Sequence, residues 1–215
     1  FYRTPLLALG IYLFLLVAAR GDLLIGEIDW NSGGLEGWTT SDGWVSLANP
    51  GSGGVTNSGY LQVTLAATDP FNQGLDEWWA LVSTPVTNVF SGAWLTNMWV
   101  AFDFWASNVS PEYVQVRWGS TNSHIWKYTV FDSTLANMET QTWTHLQSVW
   151  FRDFQDWDYG GGSQQEFLDD LAAIDWIGVY VWRNGAAEQM YGLDEFELWI
   201  PEPGELPVLA AAALA

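Results

Sequence analysis

Between residues 22 and 200 the chain alternates short runs rich in Val, Trp, Tyr, Phe and Thr with breaks of Gly, Asn, Ser, Asp and Pro. The first group suits a pleated, half-buried surface and the second forms turns, so the pattern predicts strands. Ten are expected, near residues 23–29, 44–48, 60–66, 78–83, 98–107, 112–118, 125–131, 143–151, 174–182 and 192–200. One segment reads as helix: Ser163 stands three residues before Glu166, the capping-box spacing, ahead of Phe167, Leu168 and Leu171. Ten strands joined by hairpin-length gaps, with one short connector helix, imply an all-β fold. A jelly roll or β-sandwich of two antiparallel sheets fits the count. The Gly160-Gly161-Gly162 run is a loop rather than a boundary, and no repeat or linker divides the domain.

Alternation also assigns faces, because successive side chains of a strand point to opposite sides. Val100, Phe102 and Phe104 fall on one side of their strand, and Trp99, Asp103 and Trp105 on the other. Val114, Val116 and Trp118 point inward, leaving Tyr113, Gln115 and Arg117 outward. Ile177, Val179 and Val181 point inward, leaving Trp176, Tyr180 and Trp182. Brought onto one sheet, the outward sets make a surface of flat rings set among a carboxylate, an amide and a guanidinium. Pyranose rings stack their C–H faces on Trp and Tyr and offer hydroxyls to such polar groups, so a glycan site is expected at Trp99, Asp103, Trp105, Gln115, Arg117, Tyr180 and Trp182. The alternative is that these rings lie under loops as a second apolar layer.

Composition narrows the function further. Six Lys and Arg against 25 Asp and Glu give a formal charge of −19, which repels phosphate backbones and anionic lipid and excludes a nucleic-acid partner. The acidity belongs to residues 22–200, which hold 23 acidic and four basic residues. Sixteen Trp and 49% hydrophobic residues exclude a disordered acidic tail. The absence of Cys removes disulfides, thiolate metal sites and thiol nucleophiles together.

The ends read as targeting segments. Arg3 precedes an apolar stretch from Leu6 to Ala19, followed by Gly21, which reads as a secretory signal peptide over residues 1–21, an N-terminal helix too short to span a bilayer. At the other end come Pro201-Glu202-Pro203, Gly204-Glu205-Leu206-Pro207 and an apolar run from Val208 to Ala215. Residues 201–215 resemble the PEP-CTERM sorting tail of Gram-negative bacteria. That resemblance implies that Pro201, Glu202 and Pro203 are a processing site for an exosortase-type membrane enzyme, with delivery to the outer cell surface or extracellular matrix. The tail's apolar run is short and its terminal basic cluster is missing, both expected of a truncated end.

Three segments carry a second resemblance: Ile28-Asp29-Trp30-Asn31 with Gly34-Leu35-Glu36-Gly37-Trp38, then Gly59-Tyr60-Leu61-Gln62-Val63, then Tyr191-Gly192-Leu193-Asp194-Glu195-Phe196-Glu197-Leu198. Residues 22–200 are thereby similar to carbohydrate-binding-module and laminin-like jelly rolls. In that superfamily the first and last strands are neighbours, and an acidic residue from each helps hold a structural Ca²⁺. The matching positions are Glu27 or Asp29, and Asp194.

No catalytic signature competes. The Asp156-Trp157-Asp158-Tyr159-Gly160 segment lacks the third Asp and the twelfth-position Glu of a calcium loop, and His124 and His145 have no zinc-site spacing. The reading is therefore a non-catalytic, exported protein whose jelly roll binds exopolysaccharide or another glycan. The alternatives are an adhesive matrix protein making protein contacts and, third, a jelly-roll glycoside hydrolase or lyase.

Overall fold

The computed structural model describes residues 22–68, 78–86, 90 and 94–201. The expected signal helix in residues 1–21, and Glu202 and Pro203 with the rest of the tail, lie outside the described residues.

All ten expected strands form: β1 Leu23–Ile28, β2 Val45–Ala48, β3 Leu61–Leu65, β4 Trp79–Pro85, β5 Trp99–Ala106, β6 Tyr113–Ser120, β7 Ile125–Asp132, β8 Thr144–Gln147, β9 Ile174–Trp182 and β10 Gln189–Ile200. β8 stops at Gln147, short of the expected residue 151, where the Val100 N–H donates to Ser148 Oγ (3.1 Å) in place of a ladder carbonyl. The Phe151 and Arg152 N–H groups donate to the Met98 and Thr96 carbonyls, ahead of β5 rather than along it. The strands build two antiparallel sheets. A six-stranded sheet runs β2-β3-β10-β5-β8 with β1 also on β10, and a four-stranded sheet runs β4-β9-β6-β7. The 12 residues of β10 serve β3 through Gln189–Leu193 and β1 through Phe196–Ile200, while β5 pairs along its other edge. From β3 to β6 the chain changes sheet at every step, and it does so again from β7 to β10, which is how each sheet comes to hold strands distant in sequence.

The space between the sheets is filled by the predicted inward sets. Val100, Phe102, Phe104, Val114, Val116, Trp118, Ile177, Val179 and Val181 are all buried, together with Leu61, Val63, Leu193, Phe196 and Leu198. Aromatic pairs dominate this layer: Phe196 stacks against Phe102 at 5.8 Å and meets Trp38 edge-on at 4.9 Å. Such contacts add to plain area burial.

The connector helix α1, Gln164–Leu171, begins at the predicted capping box, in which the Glu166 N–H donates to Ser163 Oγ and the Ser163 N–H donates to Glu166. Its far end is anchored by Asp170, which is 1% exposed. That carboxylate accepts from Ser120 Oγ (2.7 Å), Asn122 Nδ2 (2.8 Å) and Trp126 Nε1 (2.8 Å), and lies 2.8 Å from His124 Nδ1. The four partners surround the β6–β7 turn, so one buried acid ties the helix to the four-stranded sheet. Burial alone would raise this carboxyl, but the hydrogen bonds from Asn122, Ser120, Trp126 and His124 together hold it below its ordinary value. Ser120 and His124 both address Asp170 rather than each other, so the cluster is an anchor and not a nucleophile with its base.

Candidate functional site

The outer face of the four-stranded sheet is legible from strand register as a grid. One cross-strand row is Trp79, Trp182, Tyr113 and Asp132, and the next is Leu81, Tyr180, Gln115 and Thr129. A third row holds Ser83, Gly178, Arg117 and Lys127, and a fourth holds Pro85, Trp176, Gly119 and Ile125. Successive rows lie two residues apart along β4, β9 and β6, with one extra residue on β7 between Asp132 and Thr129, so the face runs about 20 Å from Trp182 to Trp176.

Rings fill one end. Trp182 stacks between Trp79 (5.7 Å, 20° between planes) and Tyr113 (5.6 Å, 15°). Tyr180 stacks on Trp79 at 6.2 Å and on Tyr113 at 6.1 Å. The Trp44 indole N–H donates to the Trp79 carbonyl at 2.7 Å and meets the Trp79 ring edge-on, closing the cluster. At the opposite end the Trp176 indole lies across Gly119. A Cβ on that glycine would fall 2.2 Å from Trp176 Nε1, so only a bare α-carbon lets the ring lie down on the sheet.

Polar groups occupy the middle. Arg117 donates from Nε (3.0 Å) and Nη2 (2.7 Å) to Gln115 Oε1, and Gln115 Nε2 donates to Thr129 Oγ1 at 3.0 Å. The Arg117 guanidinium carbon lies 3.3 Å from the centre of the Tyr180 ring. Burial pushes the Arg117 pKa down and those of Tyr113 and Tyr180 up, so all three are partly withdrawn from water. Lys127 pairs with Asp158 at 3.0 Å.

Trp99, Asp103 and Trp105 are not part of this surface, which corrects the expectation of a single platform. They belong to β5, and β5 lies in the six-stranded sheet, whose outer face is on the opposite side of the sandwich. There Trp99 stacks on Trp150 (5.9 Å) and Trp199 (6.5 Å), while Trp105 joins Tyr60 and Trp143 at 6.4 Å from each. Between these ring groups sit Asp103, Glu195 and Glu197. Glu195 is pushed up to about 7, chiefly by burial and then by its hydrogen bond to Asp103 and the charges of Asp103, Asp194 and Glu197. It occupies a β-bulge in β10, with φ of 47°. His145 Nδ1 is 3.4 Å from Asp103.

The bulge also decides the fate of Asp194. Its side chain is fully buried and accepts from the Val55 N–H (2.8 Å), Ser58 Oγ (3.4 Å) and the Glu195 N–H (3.0 Å), pinning the loop before β3. Asp29 is taken up by Asn31, which donates its N–H (3.0 Å) and Nδ2 (2.6 Å), and Glu27 stands opposite Glu197 in the β1–β10 pairing. Among the described residues no group of three or more His, Asp or Glu is positioned to hold a metal.

Alternation placed Gln115, Arg117, Tyr180 and Trp182 on their outer face, and they come together with Tyr113. The sequence reading passed over Trp79 and Trp44. The signal for Trp79 was present, since its strand alternates Trp79, Leu81 and Ser83 against Ala80, Val82 and Thr84.

No family model and no curated protein sequence matches the chain. Solved structures with the same fold include one described for the promiscuous specificity of carbohydrate-binding modules from the β-sandwich superfamily, with a TM-score of 0.53 and 15% identity over 84% of this chain; the match spans 63% of that one. The CBM22-1 xylan-binding domain of Paenibacillus barcinonensis Xyn10C is 17% identical, with a TM-score of 0.51, covering 86% of this chain and 98% of the domain. A family 11 carbohydrate-binding module from Clostridium thermocellum, in complex with a β-1,3-1,4-mixed-linked tetrasaccharide, is 16% identical at a TM-score of 0.51, with coverage of 86% and 98%. The fold is thus the jelly roll of these modules. Among the described residues no helix is long and apolar enough to cross a membrane.

Proposed function

We propose that this chain is a non-catalytic glycan-binding domain whose site is the outer face of the four-stranded sheet. One observation carries the reading: the Trp79–Trp182–Tyr113 row, backed by Tyr180, lies directly beside the Gln115–Arg117–Thr129 hydrogen-bond chain. Rings supply faces for pyranose C–H groups, and the adjacent amide, hydroxyl and guanidinium supply donors and acceptors for sugar hydroxyls. The xylan and mixed-linked glucan named for the structural neighbours support the ligand class without specifying it. Affinity electrophoresis of the chain through gels containing xylan, mixed-linked glucan or acidic polysaccharides tests the reading. Retardation by at least one polymer, weakened in Trp182→Ala, is the expected result. Unretarded migration in every gel sinks it.

The same reading places the protein outside the cell. The apolar segment from Leu6 to Ala19 supports export, and Pro201-Glu202-Pro203 supports sorting by an exosortase-type enzyme at the surface of a Gram-negative bacterium. Mass spectrometry of the mature C-terminus, from cells with and without such an enzyme, tests this: a cut near Pro201 only in its presence is expected.

A further inference from the structure

We propose that Arg117 makes this face selective for acidic glycans, those bearing uronate or sulfate groups, over neutral ones; the inference rests on the glycan-binding reading above. It begins from where the few cations stand. The described residues contain four: Arg117, Lys127, Arg152 and Arg183. Arg183 is fully buried and spends its donors on the carbonyls of Ala66, Gly185, Ala186 and Ala187. Lys127 is paired with Asp158 and Arg152 with Asp153. Arg117 differs: no carboxylate of the described residues lies within ion-pair distance of it, although the chain carries 25 acidic residues.

The acids are kept elsewhere. On the grid around Arg117 the other positions are rings, Leu, Pro, Ile, Gly, Ser, Gln, Thr and Lys; its one carboxylate, Asp132, sits two rows away accepting hydrogen bonds from Thr134, and Asp158, bridged to Lys127 at the sheet edge, is matched by that lysine. The opposite sheet's outer face holds Glu27, Asp103, Glu195 and Glu197 together. A strongly acidic molecule therefore presents one face with an unmatched cation at its centre.

That cation is held rather than mobile. The Tyr180 ring lies beneath it, and Gln115 Oε1 accepts from two of its nitrogens, Nε and Nη2, which fixes the plane of the fork. A neutral amide would serve sugar hydroxyls at a smaller desolvation cost. A half-buried guanidinium repays its desolvation only when an anion arrives, and its planar fork matches carboxylate and sulfate oxygens. The molecule's net charge opposes any anionic polymer at long range, but this repulsion fades beyond about 8 Å at physiological salt, whereas a direct contact at Arg117 persists.

The test is a matched-polymer comparison with the whole chain. Alginate, polygalacturonate and glucuronoxylan are each offered beside their carboxyl-reduced forms, with dextran sulfate beside dextran, and dissociation constants are measured by affinity electrophoresis. The expected result is tighter binding of the acidic member of at least one pair, by about tenfold or more, with the preference abolished in Arg117→Gln and reduced in Arg117→Lys. Equal or tighter binding of the neutral member overturns the inference while leaving the glycan reading intact. Failure to bind any polymer overturns both. The wild-type comparison decides even if Arg117→Gln does not fold, which circular dichroism of each variant reveals.

Discussion

Arg117 lies flat on Tyr180, its guanidinium carbon 3.3 Å from the ring centre, although the two residues belong to different strands and are 63 positions apart in the chain. The contact exists because β6 and β9 are neighbours in register, with Gln115 opposite Tyr180 and Arg117 one pleat further on. It converts two separately outward-facing strands into one surface with rings at the end and a fixed cation at the centre.

The division of the predicted platform between two sheets has a direct consequence. Trp182→Ala is expected to weaken polysaccharide retention about tenfold with only a few degrees' loss of Tm, since the ring is partly exposed and its partners Trp79 and Tyr113 remain. Trp105→Ala removes a ring from the opposite face and is expected to leave retention unchanged. By contrast Trp118, fully buried between the sheets, should cost about 3–5 kcal/mol when cut to Ala. Affinity gels and thermal melts on the three variants separate binding residues from core residues.

Gly119 offers a probe of the far end of the face. In Gly119→Ala the new methyl would collide with the Trp176 indole, which must lift off the sheet. A change in Trp emission, with little loss of stability because the displaced group is a side chain rather than backbone, is expected. If the glycan spans the whole face, retention falls as well, by less than in Trp182→Ala.

Asp170 governs stability in acid. Its folded pKa is below its unfolded value, so its contribution is fully present above about pH 4 and is lost as pH falls through the folded pKa. Asp170→Ala leaves Ser120, Asn122, His124 and Trp126 without their common acceptor and is expected to cost about 3–5 kcal/mol at neutral pH. Denaturant melts across the acid range should show the wild-type decline flattened in the variant.

Glu195 acts with the opposite sign. Its folded pKa of about 7 exceeds its unfolded value, so the folded state binds more protons between about pH 4.5 and 7, and stability falls as pH rises through that window. Glu195→Gln keeps the hydrogen-bonding shape beside Asp103 and removes the charge. It is expected to raise Tm at pH 8 and to have little effect at pH 4.5, which a melt at each pH checks.

What the sequence alone determined is local. Alternation along single strands placed Val100, Phe102 and Phe104 inward and Arg117 and Tyr180 outward, and the Ser163–Glu166 spacing marked the start of α1, because both signals depend only on residues a few positions apart. Which strands lie side by side was decided by the tertiary structure. β5 joins β10 and β8, while β6 joins β9 and β7, and no pattern within any one strand encodes that choice. The same holds at the β10 bulge, where Asp194, on the same face as Asp103, is covered by the 55–58 loop that it holds, and the extra residue leaves Glu195 beside Asp103. Strand periodicity gives each side chain a face, but a binding surface requires several faces to be the same one. That is fixed by pairing between segments far apart in the chain, where the whole core, rather than any local preference, sets the free energy.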